Sequence, residues 1–203
     1  MPYVVLDGPD GSGKSTHSRR LCEYVQRRGR EAVHLREPGS TPVGEALRAL
    51  LLQPSTGELL PLTEALLFTA ARAELVARVL TPALQRGAFV VAERCYCSTL
   101  VYQSLALEQG LDFDWLCDLA RRAHGAALPD AVFVLDAPVA VADARRARRQ
   151  ADRFEGRDAA FRGRVRAAYL ELARRLPEVQ VVDASGDLET VQRELQQKLQ
   201  GLL

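Results

Sequence analysis

Cysteine is scarce: Cys22, Cys95, Cys97 and Cys117 are the whole complement, and their irregular placement argues against a disulfide framework. Cys95 and Cys97 form a Cys-x-Cys step, but no second spaced pair or neighbouring histidine accompanies it, and His17, His34 and His124 are scattered. Ordinary reduced thiols are expected rather than a zinc site, and the histidines read as structural or surface residues. Neither sign of charge is in excess. Twenty-seven basic residues face 26 acidic ones for a formal charge of +1, so no global field draws the molecule to nucleic acid or an acidic membrane. Any anion site must be local. No apolar run approaches the length that spans a bilayer, and the start Met-Pro-Tyr-Val-Val-Leu-Asp turns polar too soon for a signal peptide. A soluble cytoplasmic protein is expected. Internal repeats and disordered linkers are missing as well.

What remains, 203 residues at 47% hydrophobic composition, suits one compact α/β domain, with two small domains as the alternative. Tyr3 to Asp7 is a β-branched apolar run, followed by a glycine-rich loop and an amphipathic stretch from Lys14 to about Arg28. Further strands are expected at Ala32 to Leu35, Ala88 to Ala92, Ala131 to Leu135 and Val179 to Val182. Helical periodicity falls between them, at Val43 to Leu52, Leu62 to Arg86, Phe113 to Ala123, Val139 to Arg149, Phe161 to Leu176 and Leu188 to Leu199. Strands alternating with helices predict a five-stranded parallel sheet covered on both faces, because parallel neighbours need crossover connections. Ligands of such sheets gather beyond the carboxyl ends of the strands.

Gly8-Pro-Asp-Gly-Ser-Gly13-Lys14-Ser15 satisfies the pattern G-x-x-x-x-G-K-[ST] between a predicted strand and a predicted helix, the context of a P-loop. The bland alternative is a glycine turn with a chance lysine. As a P-loop, Gly8, Asp10, Gly11, Ser12, Gly13 and Thr16 line an ATP cradle whose inward backbone N–H groups and helix N-terminus favour phosphate. Lys14 then reaches the β and γ phosphates, and the Ser15 hydroxyl ligates Mg²⁺. The loop leaves the acceptor open between water, a nucleotide, a nucleoside and another metabolite.

The other motifs narrow that choice. Arg36-Glu37-Pro38-Gly39 follows the second strand. Leu67-Phe68-Thr69-Ala70-Ala71-Arg72 lies on a helix, and Glu93-Arg94 leads to Ser98-Thr99-Leu100-Val101-Tyr102-Gln103. Arginine-rich sequence ends at Asp152-Arg153-Phe154-Glu155, and Tyr169 to Ala173 and Val182-Asp183-Ala184 come later. In this order, and with an acid at Asp10 inside the loop, the chain resembles thymidylate kinases of the bacterial subgroup with lid arginines, over essentially its whole length. The resemblance implies a nucleoside-monophosphate-kinase fold with a mobile lid at about 145–157, a homodimer, and transfer of phosphate from ATP to dTMP assisted by Mg²⁺.

The planar fork of Arg36 suits two oxygens of a monophosphate better than a lysine does; a surface arginine in a turn is the alternative. The resemblance implies that Arg36 holds the dTMP phosphate while Glu37 and Pro38 shape the loop. Phe68 and Arg72 share a helix face, where an apolar residue is ordinarily core. The resemblance implies instead that Phe68 stacks on thymine and Arg72 bonds its carbonyl, with Ser98, Thr99 and Gln103 on the same side and Tyr102 against the sugar, crowding a ribose 2′-hydroxyl. Asp10 is implied to face the acceptor 3′-hydroxyl or an arginine, the alternative being a solvated turn residue.

Glu93, at the end of the third strand, occupies the position of a carboxylate that organises hydrated Mg²⁺, and Arg94 then projects toward the transferring phosphoryl. Here the chain departs from the family pattern of Asp-Arg followed by an aromatic residue, having Glu93-Arg94-Cys95. Glu-Arg also occurs in deoxynucleoside kinases, where Glu is a base, so that reading stays open, as does a nucleotide-dependent switch protein. The P-loop carries no arginine, so Arg148, Arg149 and Arg153 in the arginine-rich stretch are the candidates for neutralising the transferred phosphoryl; a solvated helix face is the alternative.

Overall fold

The computed structural model describes residues 2–146 and 158–203. Its centre is a five-stranded, all-parallel sheet: β1 (Tyr3–Asp7), β2 (Ala32–Arg36), β3 (Phe89–Glu93), β4 (Ala131–Asp136) and β5 (Val179–Asp183), in the order β2-β3-β1-β4-β5. Every residue of β1 and β3 is buried, which is why these strands read as unbroken apolar runs rather than alternating ones. Alternate side chains still go to opposite faces. Val5, Val90, Val132 and Val134 join one apolar cluster, while Val4, Leu6, Val91, Phe133 and Leu135 join the other.

Helices cover both faces. The second cluster is closed by α1 (Lys14–Gln26) and α9 (Leu188–Leu199), and the first by α3 (Pro61–Leu75), α5 (Tyr96–Leu100), α6 (Phe113–His124) and α8 (Ala159–Arg175). The remaining helices are α2 (Pro42–Leu52), α4 (Thr81–Gln85) and α7 (Val139–Arg146). Several starts are written in the local sequence. Thr41 caps α2 by accepting from Gly44 N at 2.9 Å with Pro42 in the first turn, Asp112 accepts from Trp115 N at 2.7 Å, and Asp158 from Phe161 N at 2.7 Å. The cap at Asp158 starts α8 two residues before the expected Phe161.

Two departures from the expected elements have physical causes. The predicted helix Leu62 to Arg86 is interrupted by a π-helical turn at Val76–Leu80, just before Pro82. Proline has no N–H for the carbonyl one turn back and its ring crowds that carbonyl, so a wider turn accommodates it. The second is helical structure over Tyr96–Leu100 and the π-helical Val101–Leu105, which periodicity missed. Tyr96, Cys97, Thr99, Leu100, Val101, Gln103 and Ser104 are all buried, so no polar face repeats along it. The expected helix Val139 to Arg149 is described as far as Arg146; its end and most of the expected lid lie outside the described residues. Among the described residues, no helix is long and apolar enough to cross a membrane.

Candidate active site

All five strands run parallel, so their carboxyl ends share one rim, where Asp7, Arg36, Glu93, Asp136 and Asp183 terminate the strands. Along this rim opens a cleft of about 940 Å³ whose lining brings together Lys14, Ser15, Arg36, Phe68, Arg72, Glu93, Arg94 and Tyr102. Asp10, Gly11, Gly13, Thr16, Glu37, Pro38, Ser98, Thr99 and Gln103 line it too. Residues far apart in the chain therefore meet in one volume, P-loop at one end and Arg36 to Arg72 at the other.

The loop after β1 needs its glycines. Gly8 has φ 128°, and a Cβ there would lie 2.7 Å from the Leu135 carbonyl; at Gly11, φ 85°, it would collide with the Ala142 carbonyl. The Lys14 ammonium, nearly buried, folds back to donate to the Gly8 and Pro9 carbonyls at 2.8 Å each and stands 3.7 Å from Asp10. Burial, then the neighbouring Arg94 guanidinium, lowers its pKa to about 8. The Ser12 hydroxyl is buried without a hydrogen-bond partner among the described residues.

At the floor, Ser15 Oγ donates to Glu93 Oε2 at 2.6 Å, while the other oxygen, Oε1, takes Ser18 Oγ at 3.2 Å and His34 Nε2 at 2.9 Å. Burial opposes the charge on Glu93, but the bonds from His34, Ser15 and Ser18 outweigh it and hold its pKa at about 2. Arg94 follows in the left-handed region, φ 67°, a conformation uncommon for a side chain of this size. This turn carries its guanidinium to Asp10 and to Ser98 Oγ, the latter at 2.9 Å. For Asp10, burial works against ionisation, but Arg94, Lys14 and the Tyr102 hydroxyl at 3.3 Å together lower the pKa. Beneath them Asp7, fully buried, accepts from Gly8 N at 2.8 Å and from the Ser98 and Tyr169 hydroxyls at 2.7 Å each.

At the far end, Arg36 is half exposed and paired with both oxygens of Glu45, at 2.9 and 3.0 Å. Arg72, by contrast, is buried, donating through Nε to Glu37 Oε2 at 2.7 Å and through Nη2 to Thr99 Oγ1 at 3.2 Å. Its Nη1 has no partner among the described residues. Gln103 donates Nε2 to Glu64 Oε2 at 2.8 Å, and its buried Oε1 likewise has no partner among the described residues. Phe68, one turn before Arg72 on α3, borders the same space, with Arg48 holding the Pro38 carbonyl at 3.0 Å.

Arg148, Arg149 and Arg153 lie outside the described residues. Of their neighbours, Arg145 ties the end of α7 to the Ala184 and Gly186 carbonyls at 2.8 and 3.1 Å, and Arg146 pairs with Asp143 at 3.1 Å on the cleft wall. Asp7, Ser18, His34, Glu64 and Tyr169 were not singled out as site residues by sequence reasoning. Asp7 has a signal in its position at a strand end next to the P-loop, and Tyr169 in the motif it opens; Ser18, His34 and Glu64 are brought in by packing of α1, β2 and α3.

The sequence model of the thymidylate kinase family matches residues 6–195. A thymidylate kinase of Symbiobacterium thermophilum is 42% identical over 202 residues, covering 99% of this chain and 94% of the relative. One of Pseudomonas putida (strain GB-1) is 41% identical over 203 residues, with 99% and 96% covered. A third, of Pelotomaculum thermopropionicum, is 44% identical over 186 residues, with 90% and 85% covered. Family match, full-length relatives and the P-loop facing an arginine-lined pocket agree: the chain belongs to the thymidylate kinase family.

Proposed function

We propose that the chain transfers the γ-phosphoryl group of ATP to dTMP, releasing ADP and dTDP. One observation carries the choice of acceptor. Across the cleft from the P-loop, a buried donor, Arg72 Nη1, and a buried acceptor, Gln103 Oε1, both lack partners among the described residues. A thymine ring supplies their complements, a carbonyl at C4 and an N–H at N3, and cytosine presents the reverse. Buried polar groups left unpaired are costly, so the base that pairs both is preferred.

The remaining roles are proposals supported by the lining of the cleft. Lys14 turns from the loop carbonyls to the β and γ phosphates, and Arg36 exchanges Glu45 for the monophosphate. Tyr102 is assigned to the sugar and Arg94 to the transferred group; Arg148, Arg149 and Arg153, the sequence's candidates for the same task, lie outside the described residues. Ser15 Oγ and Glu93 Oε2 are adjoining hard oxygen donors of the kind Mg²⁺ accepts while keeping most of its waters. An ion held by Ser15 and Glu93 would offset the negative charge of the phosphates. Glu93 commits both carboxylate oxygens to Ser15, Ser18 and His34, which speaks against the deoxynucleoside-kinase alternative, where it would serve as base. A homodimer is supported by exposed Val43 and Leu50 on α2 beside exposed Leu62 and Leu66 on α3.

The test is ADP release from ATP with single acceptors: dTMP, dUMP, dCMP, dAMP, thymidine or none. The reading requires dTMP to give the highest kcat/KM and the acceptor-free rate to be small. Faster turnover with thymidine, or hydrolysis indifferent to acceptor, overturns it.

A further inference from the structure

We propose that Glu64 is a positioning residue that sets the acceptor specificity of the cleft by fixing which end of the Gln103 amide faces the base. The inference rests on the reading of this pocket as a thymine site and adds to it a residue that does not touch the nucleotide.

Glu64 lies in the first turn of α3, 2% exposed, and Gln103 lies in the π-helical turn of the facing helix, 0% exposed. A primary amide is nearly symmetric in shape but opposite in hydrogen bonding at its two ends. Turned by half a revolution, Gln103 would offer the cleft a donor instead of an acceptor, favouring a cytosine-type edge. The contact with Glu64 removes that option. Glu64 Oε2 accepts from the NH₂ end at 2.8 Å, leaving Oε1 for the base. Arg72, eight residues along the same helix, presents its unpartnered donor to the same cleft. One helix thus supplies both the direct donor and the group that aims the acceptor.

The measurement is kcat/KM for dTMP and for dCMP, with the ATP KM and the thermal midpoint, in the parent and in Glu64→Gln. A glutamine can accept or donate and no longer dictates the amide orientation. The dTMP-to-dCMP ratio is expected to fall by about tenfold or more, through a higher dTMP KM and a lower dCMP KM, with kcat for dTMP and the ATP KM little changed. Glu64→Met, of similar length and without hydrogen bonding, is the second variant if Glu64→Gln does not fold, and it too should lower the ratio. In a Gln103→Ala background, Glu64→Gln should leave the ratio where it stands. If Gln103→Ala lowers the ratio while the folded Glu64 variants keep the parental value, or if they weaken dTMP, dCMP and ATP alike, the proposal is overturned and the thymine reading survives. If the parent itself does not prefer dTMP, both fail.

Discussion

Ser15 Oγ donates a 2.6 Å hydrogen bond to Glu93 Oε2, joining the first turn of α1 to the last residue of β3. If this pair organises a hydrated Mg²⁺, Glu93→Gln raises the metal concentration needed for half-maximal rate by about tenfold, and added Mg²⁺ restores part of the lost activity. A general base behaves otherwise: its loss persists at saturating metal. Titration of initial rates with Mg²⁺ separates the two, and an inactive variant that binds the metal–ATP complex normally contradicts the organising role.

Lys14→Ala should cut transfer by roughly a hundredfold or more in a protein that still folds, with the loss of its bonds to the Gly8 and Pro9 carbonyls lowering the thermal midpoint only slightly. Its ionisation gives a second, sharper expectation. In the free protein Lys14 loses its proton near pH 8 rather than 10.5, whereas bound phosphates favour the charged form and raise that pKa. ATP binding therefore takes up protons above pH 8, and affinity falls as pH rises. Calorimetry at pH 8.5 in two buffers of different ionisation enthalpy reads the uptake, and Lys14→Ala abolishes it.

Arg36→Ala should raise the dTMP KM roughly 10- to 100-fold, the equivalent of about 1.5–3 kcal/mol for charge-assisted bonds, and leave ATP affinity near the parental value. Because Arg36 also pairs with Glu45, Glu45→Gln should tighten dTMP slightly by releasing the arginine. Equal weakening of both nucleotides by Arg36→Ala moves the residue away from the acceptor.

The legible part of this molecule was what local pattern controls. β1, the P-loop and α1 follow from an apolar run, positive-φ glycines and a helix start, and the rim position of Arg36 and Glu93 follows from strand ends. Long-range partners were not legible. That Glu93 is held by His34 and Ser18, or Gln103 by Glu64, depends on register between β2 and β3 and on how α3 meets the helix after β3. The helix over Tyr96–Leu105 was hidden because burial on nearly every side erased its periodicity.

Tyr102 donates to Asp10 Oδ2 at 3.3 Å, and its ring meets Tyr169 edge-on with centroids 6.5 Å apart. Replacing it with alanine opens the space beside the sugar, so the preference for dTMP over the ribose monophosphate should narrow by about tenfold in kcat/KM. Unchanged discrimination in a folded variant assigns sugar reading to other residues.

The central claim is that the cleft moves a phosphoryl group from ATP onto a monophosphate. Incubation with γ-³²P-labelled ATP, Mg²⁺ and an equimolar mixture of dTMP and thymidine reads it directly. The account predicts label in dTDP at the β position, none in newly formed dTMP, and little inorganic phosphate. Label in dTMP formed from thymidine, or release of labelled inorganic phosphate without dTDP, contradicts it.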